Sequence, residues 1–71
     1  MFKVDDDVIR GTGDRGVVMS VLSRFDYNYP IIVLFENELI ISFTPEGVFD
    51  LHNLTSKGNI RKITPLEKAL L

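Results

Sequence analysis

The chain contains no cysteine, no tryptophan and a single histidine, His52. Without cysteine, neither a disulfide nor a thiolate zinc site can form. With one histidine and no Ser/His/Asp constellation, nucleophilic and zinc catalysis lack their parts. Long apolar runs are missing as well: the longest, Ile31 to Phe35, falls far short of the roughly 20 residues that a membrane helix needs. Nothing resembles a signal peptide, because Phe2 is followed at once by Lys3 and the acidic run Asp5-Asp6-Asp7. A soluble cytoplasmic protein is expected. An excess of basic charge is also lacking. The net charge of −2 argues against a general nucleic-acid binder, whose affinity comes largely from phosphate neutralisation by Lys and Arg.

What is present is small and unevenly charged. A single domain of 71 residues buries only about 60% of the surface its unfolded chain exposes, so its stability margin is thin. With disulfides excluded, oligomerisation is the common remaining way to widen that margin. Residues 1–51 carry a net charge of −5 and residues 52–71 one of +3, which leaves room for a local basic patch.

The pattern is that of short strands and tight turns. Phe2-Lys3-Val4 and Val8-Ile9-Arg10 flank the aspartates, and three glycines in Gly11-Thr12-Gly13-Asp14-Arg15-Gly16 mark a loop with positive-φ positions. Val17 to Phe25 predicts a long, bent strand with a bulge near Ser20 or Ser23, where the apolar pattern is interrupted. Asp26 to Pro30 is a turn. Ile31, Val33 and Phe35 then share one face, Leu39, Ile41 and Phe43 match them, and Glu36-Asn37-Glu38 reverses the chain. Asn37 is the residue best suited there to a left-handed conformation. This antiparallel hairpin is the clearest structural signal in the sequence.

Thr44-Pro45-Glu46-Gly47 has the form of a type I turn and leads into a short strand over Val48 to Leu51. After a polar loop, Ile60 to Ile63 is a last strand. Thr64, Pro65 and Glu67 form a capping box for a terminal helical turn over residues 65–71. Five strands in about 60 residues, with gaps too short for helical crossovers, predict an all-β fold: a small five-stranded SH3-like barrel over residues 2–63 with a short C-terminal helical turn. The whole chain, 1–71, is read as one domain.

Asp7-Val8-Ile9 followed by Gly13-Asp14-Arg15-Gly16-Val17-Val18 resembles SH3-like barrels of the KOW and Tudor type. Tyr29-Pro30-Ile31-Ile32-Val33-Leu34-Phe35 with Phe43-Thr44-Pro45-Glu46-Gly47 resembles a group of small phage and prophage proteins with a YPxxVxF segment and an FTxDG-like turn. The matching segments span about residues 7–54. Asn37-Glu38 stands where the group usually has Gly or Asn-Gly, and Glu46 replaces its Asp. The resemblance implies a phage origin and an SH3-like fold, without a reaction.

Several polar features are read as structural. His52 has no positioned partner at a telling spacing. Asp5-Asp6-Asp7 lacks the calcium-loop spacing and is read as a solvated acidic turn. The Gly11–Gly16 loop is not followed by the Lys-Ser/Thr of a phosphate-binding loop and is read as a strand connection. No cofactor or metal is expected, nor is an enzymatic activity in a chain with so little room for a pocket.

Two sets of residues point to binding. Phe25, Tyr27 and Tyr29 fall on the ligand rim of an SH3-like barrel, where aromatics stack bases or hold a peptide. Core placement is favoured for Phe25, and both readings stand for the tyrosines. With Lys57, Arg61 and Lys62 for phosphates, Tyr27 and Tyr29 make up a nucleic-acid or nucleotide alternative. The second set is the outward face of the hairpin. If the matched residues fill the barrel, Ile32, Leu34 and Ile40 point outward together. Burying three such aliphatics is worth on the order of 5–8 kcal/mol before ordering costs, so the face is expected to be covered. Either a second copy covers it, or the C-terminal turn folds back through Leu66, Leu70 and Leu71. The function expected is a non-enzymatic, phage-type binding module that docks on a phage or host protein and self-associates through Ile32, Leu34, Ile40 and Leu70.

Overall fold

A computed structural model describes residues 1–49 and 58–70. They form five antiparallel strands in a curled half-barrel and one short helix: β1 (Asp7–Arg10), β2 (Arg15–Val21), β3 (Ile31–Phe35), β4 (Ile40–Phe43), β5 (Ile60–Lys62) and α1 (Pro65–Leu70). The strand order is β4-β3-β2-β1-β5. The first four strands therefore meander, and β5 returns to pair with β1, Val8 opposite Lys62 and Arg10 opposite Ile60.

The hydrophobic pattern sets the register. Val18, Val33 and Phe35 alternate inward, and Val8, Ile31, Phe43, Ile60 and Phe2 join them in one core. The expected bulge in β2 is present: Val18 pairs with Val33, but Ser20 pairs with Ile32, so Met19 is the extra residue. Such an insertion bends a strand and increases its twist, which helps a sheet this small curl around its core. Gly16 lies where β2 packs closely against β3. A Cβ there would stand 2.8 Å from the Leu34 carbonyl oxygen and 2.8 Å from Val33 Cγ1, so no larger residue fits without displacing backbone.

The core ends in an aromatic stack. Phe35 and Phe43 meet edge to face with centroids 6.0 Å apart, and Phe49 adds at 6.1 Å from Phe43. The Arg10 guanidinium lies 5.4 Å from the Phe35 ring and 5.1 Å from the Phe49 ring, and its Nε–H donates to the Gly58 carbonyl at 3.1 Å. Cation–π attraction strengthens when such a group is partly desolvated.

Several boundaries differ from the sequence reading. β2 ends at Val21 rather than running to Phe25, because Ser23 nucleates a turn. Its hydroxyl accepts from the Phe25 N–H at 3.3 Å, and its carbonyl accepts from the N–H groups of Asp26 and Tyr27. Leu39 is not an inward strand residue; it is exposed, and β4 starts one residue later. The reason is the turn geometry. Glu38 N–H donates to the Phe35 carbonyl and Phe35 N–H to the Leu39 carbonyl, a three-residue loop whose last position is left-handed. Glu38 occupies that position with φ 67°, while Asn37 accepts from the Leu39 N–H through Oδ1. The residue suited to positive φ is one place too early.

The Thr44–Gly47 turn forms as expected, closed by Gly47 N–H to the Thr44 carbonyl at 2.9 Å, with Gly47 at φ 86°. Val48 and Phe49 do not form a strand, because Val48 folds back on Thr44, donating its N–H to Thr44 Oγ1 and accepting from the Thr44 N–H. The rest of that expected strand, Asp50 and Leu51, lies outside the described residues, as do His52, Lys57 and Leu71. The aspartate run is a turn only at its start: Asp5 has φ 75°, Asp6 accepts from the Lys3 N–H through Oδ2 at 2.7 Å, and Asp7 is already the first residue of β1.

Candidate interaction surface

The outer face of the sheet carries an uninterrupted apolar row. Val17 on β2 stands opposite Leu34 on β3, and Leu34 opposite Ile40 on β4. All three are exposed, Leu34 to 43% and Ile40 to 60%. Half-buried Ile32 lies on the same face of β3, two residues from Leu34. The exposed Met19 protrudes at the bulge beside it. Ile32, Leu34 and Ile40 are thus adjacent and outward, as the alternation predicts. Val17 and Met19 extend the set and escape the sequence pattern because β2 is apolar on both faces and shows no phase by itself; Ile63 joins them from the segment after β5. Among the described residues, no helix is long and apolar enough to cross a membrane.

Part of this row floors a groove of about 480 Å³. Val17, Leu34 and Ile63 form its apolar base, and ion pairs flank it: Lys68 Nζ to Asp7 Oδ2 at 2.6 Å, and Arg15 to Glu36 at 3.4 Å. The groove therefore offers apolar burial between charged rims. A second, smaller hollow of about 220 Å³ opens at the other end of β2 and β3 among Phe2, Val21, Leu22, Pro30 and Pro45.

Helix α1 is held beside the groove by its polar side. The capping box is complete: Glu67 N–H donates to Thr64 Oγ1 at 3.2 Å, and Thr64 N–H donates to Glu67 Oε1 at 3.3 Å. Arg61 clasps the same carboxylate with two bonds of 2.8 and 2.7 Å. The Arg61 guanidinium, followed by the Thr64 backbone N–H, holds the Glu67 carboxyl at a pKa of about 2. Lys68 supplies the remaining tie, to Asp7. Leu66 and Leu70, one turn apart on a single face, are left 72% and 79% exposed. The alternative in which the C-terminal turn folds back over the outer face therefore does not hold for Leu66 and Leu70, and Leu71 lies outside the described residues. The polar residues of α1 make the contacts with the sheet, and the leucines face solvent.

The aromatic set is divided. Phe25 is 88% exposed, so its expected core placement is also overturned; the Ser23 turn lifts it off the sheet, and its ring lies 5.5 Å from the Arg24 guanidinium. Tyr27 is exposed and Tyr29 half-buried. The cations paired with them in the nucleic-acid reading are occupied: Arg61 binds Glu67, and Lys62 lies 3.3 Å from Asp6. The Lys3 backbone N–H and then Lys62 hold the Asp6 carboxyl below its usual range. Lys57 lies outside the described residues. Among the described residues no group of acids or histidines is placed to hold a metal ion. Compared with protein-family models, curated proteins and solved structures, the chain shows no match.

Proposed function

We propose that the chain is a small, non-enzymatic SH3-like barrel of phage type, which self-associates and docks on a phage or host protein in the host cytoplasm. The observation that carries this reading is the aliphatic row Val17–Leu34–Ile40, exposed across three adjacent strands. Contiguous apolar surface of this kind on a small protein marks an interaction site. The SH3-like reading is supported by the four-strand meander with β5 returning beside β1. The phage reading rests on the YPxxVxF and FTxDG-like resemblance. The non-enzymatic reading rests on the sequence, which has no cysteine, one histidine and no Ser/His/Asp constellation. The nucleic-acid alternative draws less support, because Arg61 and Lys62 are paired with the Glu67 and Asp6 carboxylates of the same chain.

Sedimentation velocity over a wide concentration range tests the reading. The wild-type chain is expected to form a dimer or larger species, and Leu34→Asp to sediment as a monomer with an unchanged circular dichroism spectrum. A wild-type monomer at millimolar concentration would remove self-association.

A further inference from the structure

Helix α1 inverts the usual arrangement of a surface helix, which turns its apolar stripe toward the core and its charges toward water. Here Glu67 and Lys68 are bound to Arg61 and Asp7, and Leu66 and Leu70 face solvent. The capping box and the two ion pairs fix that orientation, so the exposed leucines are held in place rather than left loose. Directly beside α1 lies the groove floored by Val17, Leu34 and Ile63, whose rim includes Lys68 of the helix itself. One chain therefore carries an unfilled apolar groove and an unburied apolar helix face that cannot turn into it without breaking the contacts of Glu67 and Lys68.

Resting on the self-association proposed above, we infer that α1 of one copy seats Leu66 and Leu70 in the groove of a second copy, and receives the second copy's leucines in return. The occupant is a second copy because the protruding and hollow halves lie side by side on the same chain. A two-fold axis between them satisfies both at once, as an isologous interface requires. The charge pattern agrees. Each rim of the groove is an ion pair with no net charge, Asp7 with Lys68 and Arg15 with Glu36, so two copies approach without like-charge repulsion from these groups.

The test exploits the lack of native cysteine. Val17→Cys and Leu70→Cys are made as separate full-length variants and mixed under mild oxidation, so that any disulfide joins two chains. A mixed Val17→Cys/Leu70→Cys disulfide, formed in preference to either homodisulfide, is the expected result. The double variant Leu66→Glu/Leu70→Glu is expected to keep its circular dichroism spectrum, since neither leucine is buried, and to weaken self-association by roughly tenfold or more. Predominant homodisulfides of either variant, or a double variant that associates like wild type, would overturn the inference. If the double variant still associates while Leu34→Asp does not, the sheet face mediates assembly without the helix, and only this inference falls. A wild-type monomer removes both.

Discussion

Single residues in this fold are constrained by backbone geometry as much as by burial. Glu38 is the clearest case. A non-glycine residue in the left-handed region costs about 1–2 kcal/mol, and Glu38 sits there at φ 67° to complete the loop between β3 and β4. Glycine would remove that strain while adding about 0.5–1 kcal/mol of unfolded-state entropy to be lost. Glu38→Gly is therefore expected to stabilise the chain by roughly 0.5–1 kcal/mol, read as a higher urea midpoint at unchanged slope. A lower midpoint would show that Glu38 contributes a contact that outweighs its strain. This residue also marks a limit of sequence reading. The hairpin was legible from the match of Ile31, Val33 and Phe35 with residues across the turn. The loop length was not, because Asn37 is the residue best suited to positive φ and yet sits one place before it. Phe25 was misplaced for a related reason: an aromatic after an apolar strand looks like core, and only the Ser23 turn shows that the strand has already ended.

At the scale of the element, α1 was legible in its capping and illegible in its orientation. Thr64, Pro65 and Glu67 announce the helix start by local chemistry alone. Which face meets the sheet depends on Arg61 and Asp7, and Asp7 stands on a strand distant in sequence. The tie to Arg61 makes α1 acid-sensitive in a defined window. The Glu67 pKa falls from 4.5 to about 2 on folding, so the unfolded state binds more protons between those values, and stability falls as pH is lowered through them. The contribution of Glu67 is fully present above pH 4.5 and lost toward pH 2. A carboxyl titration by NMR should place its midpoint near 2, and Arg61→Ala should bring it back toward 4.5. A midpoint already near the ordinary value in the wild-type chain would show that the clasp does not persist in solution.

For the molecule as a whole, the governing fact is size. A chain of 71 residues has a thin stability margin, and the outer row from Val17 to Ile40 together with the leucines of α1 is apolar surface left unburied by one copy. If assembly covers it, folding and association are linked, and the melting temperature rises with protein concentration. Calorimetry across a hundredfold dilution is expected to show that rise, with a monomeric Leu34→Asp chain showing none. Equal concentration dependence in both would place the coupling elsewhere. The all-β class, the central hairpin and the outward aliphatics were legible because each follows from period-2 alternation within one segment. The groove was not, since Val17, Leu34 and Ile63 come from three separate segments and meet only when the sheet curls.

The bulge at Met19 gives β2 a property that substitution studies alone would not reveal. Because one extra residue separates Val18 from Ser20, positions before and after it obey opposite parity: odd-numbered Val17 lies outside, and odd-numbered Val21 falls opposite inward-facing Ile31. The bend comes from the extra residue itself, whichever side chain it carries. Deleting Met19 would remove the bulge, leaving Ser20 opposite Ile32 and Val21 opposite Ile31, so the faces would hold and the local bend would be lost. Related chains that keep this curvature should therefore vary freely in which side chain stands at the bulge and retain the extra residue itself.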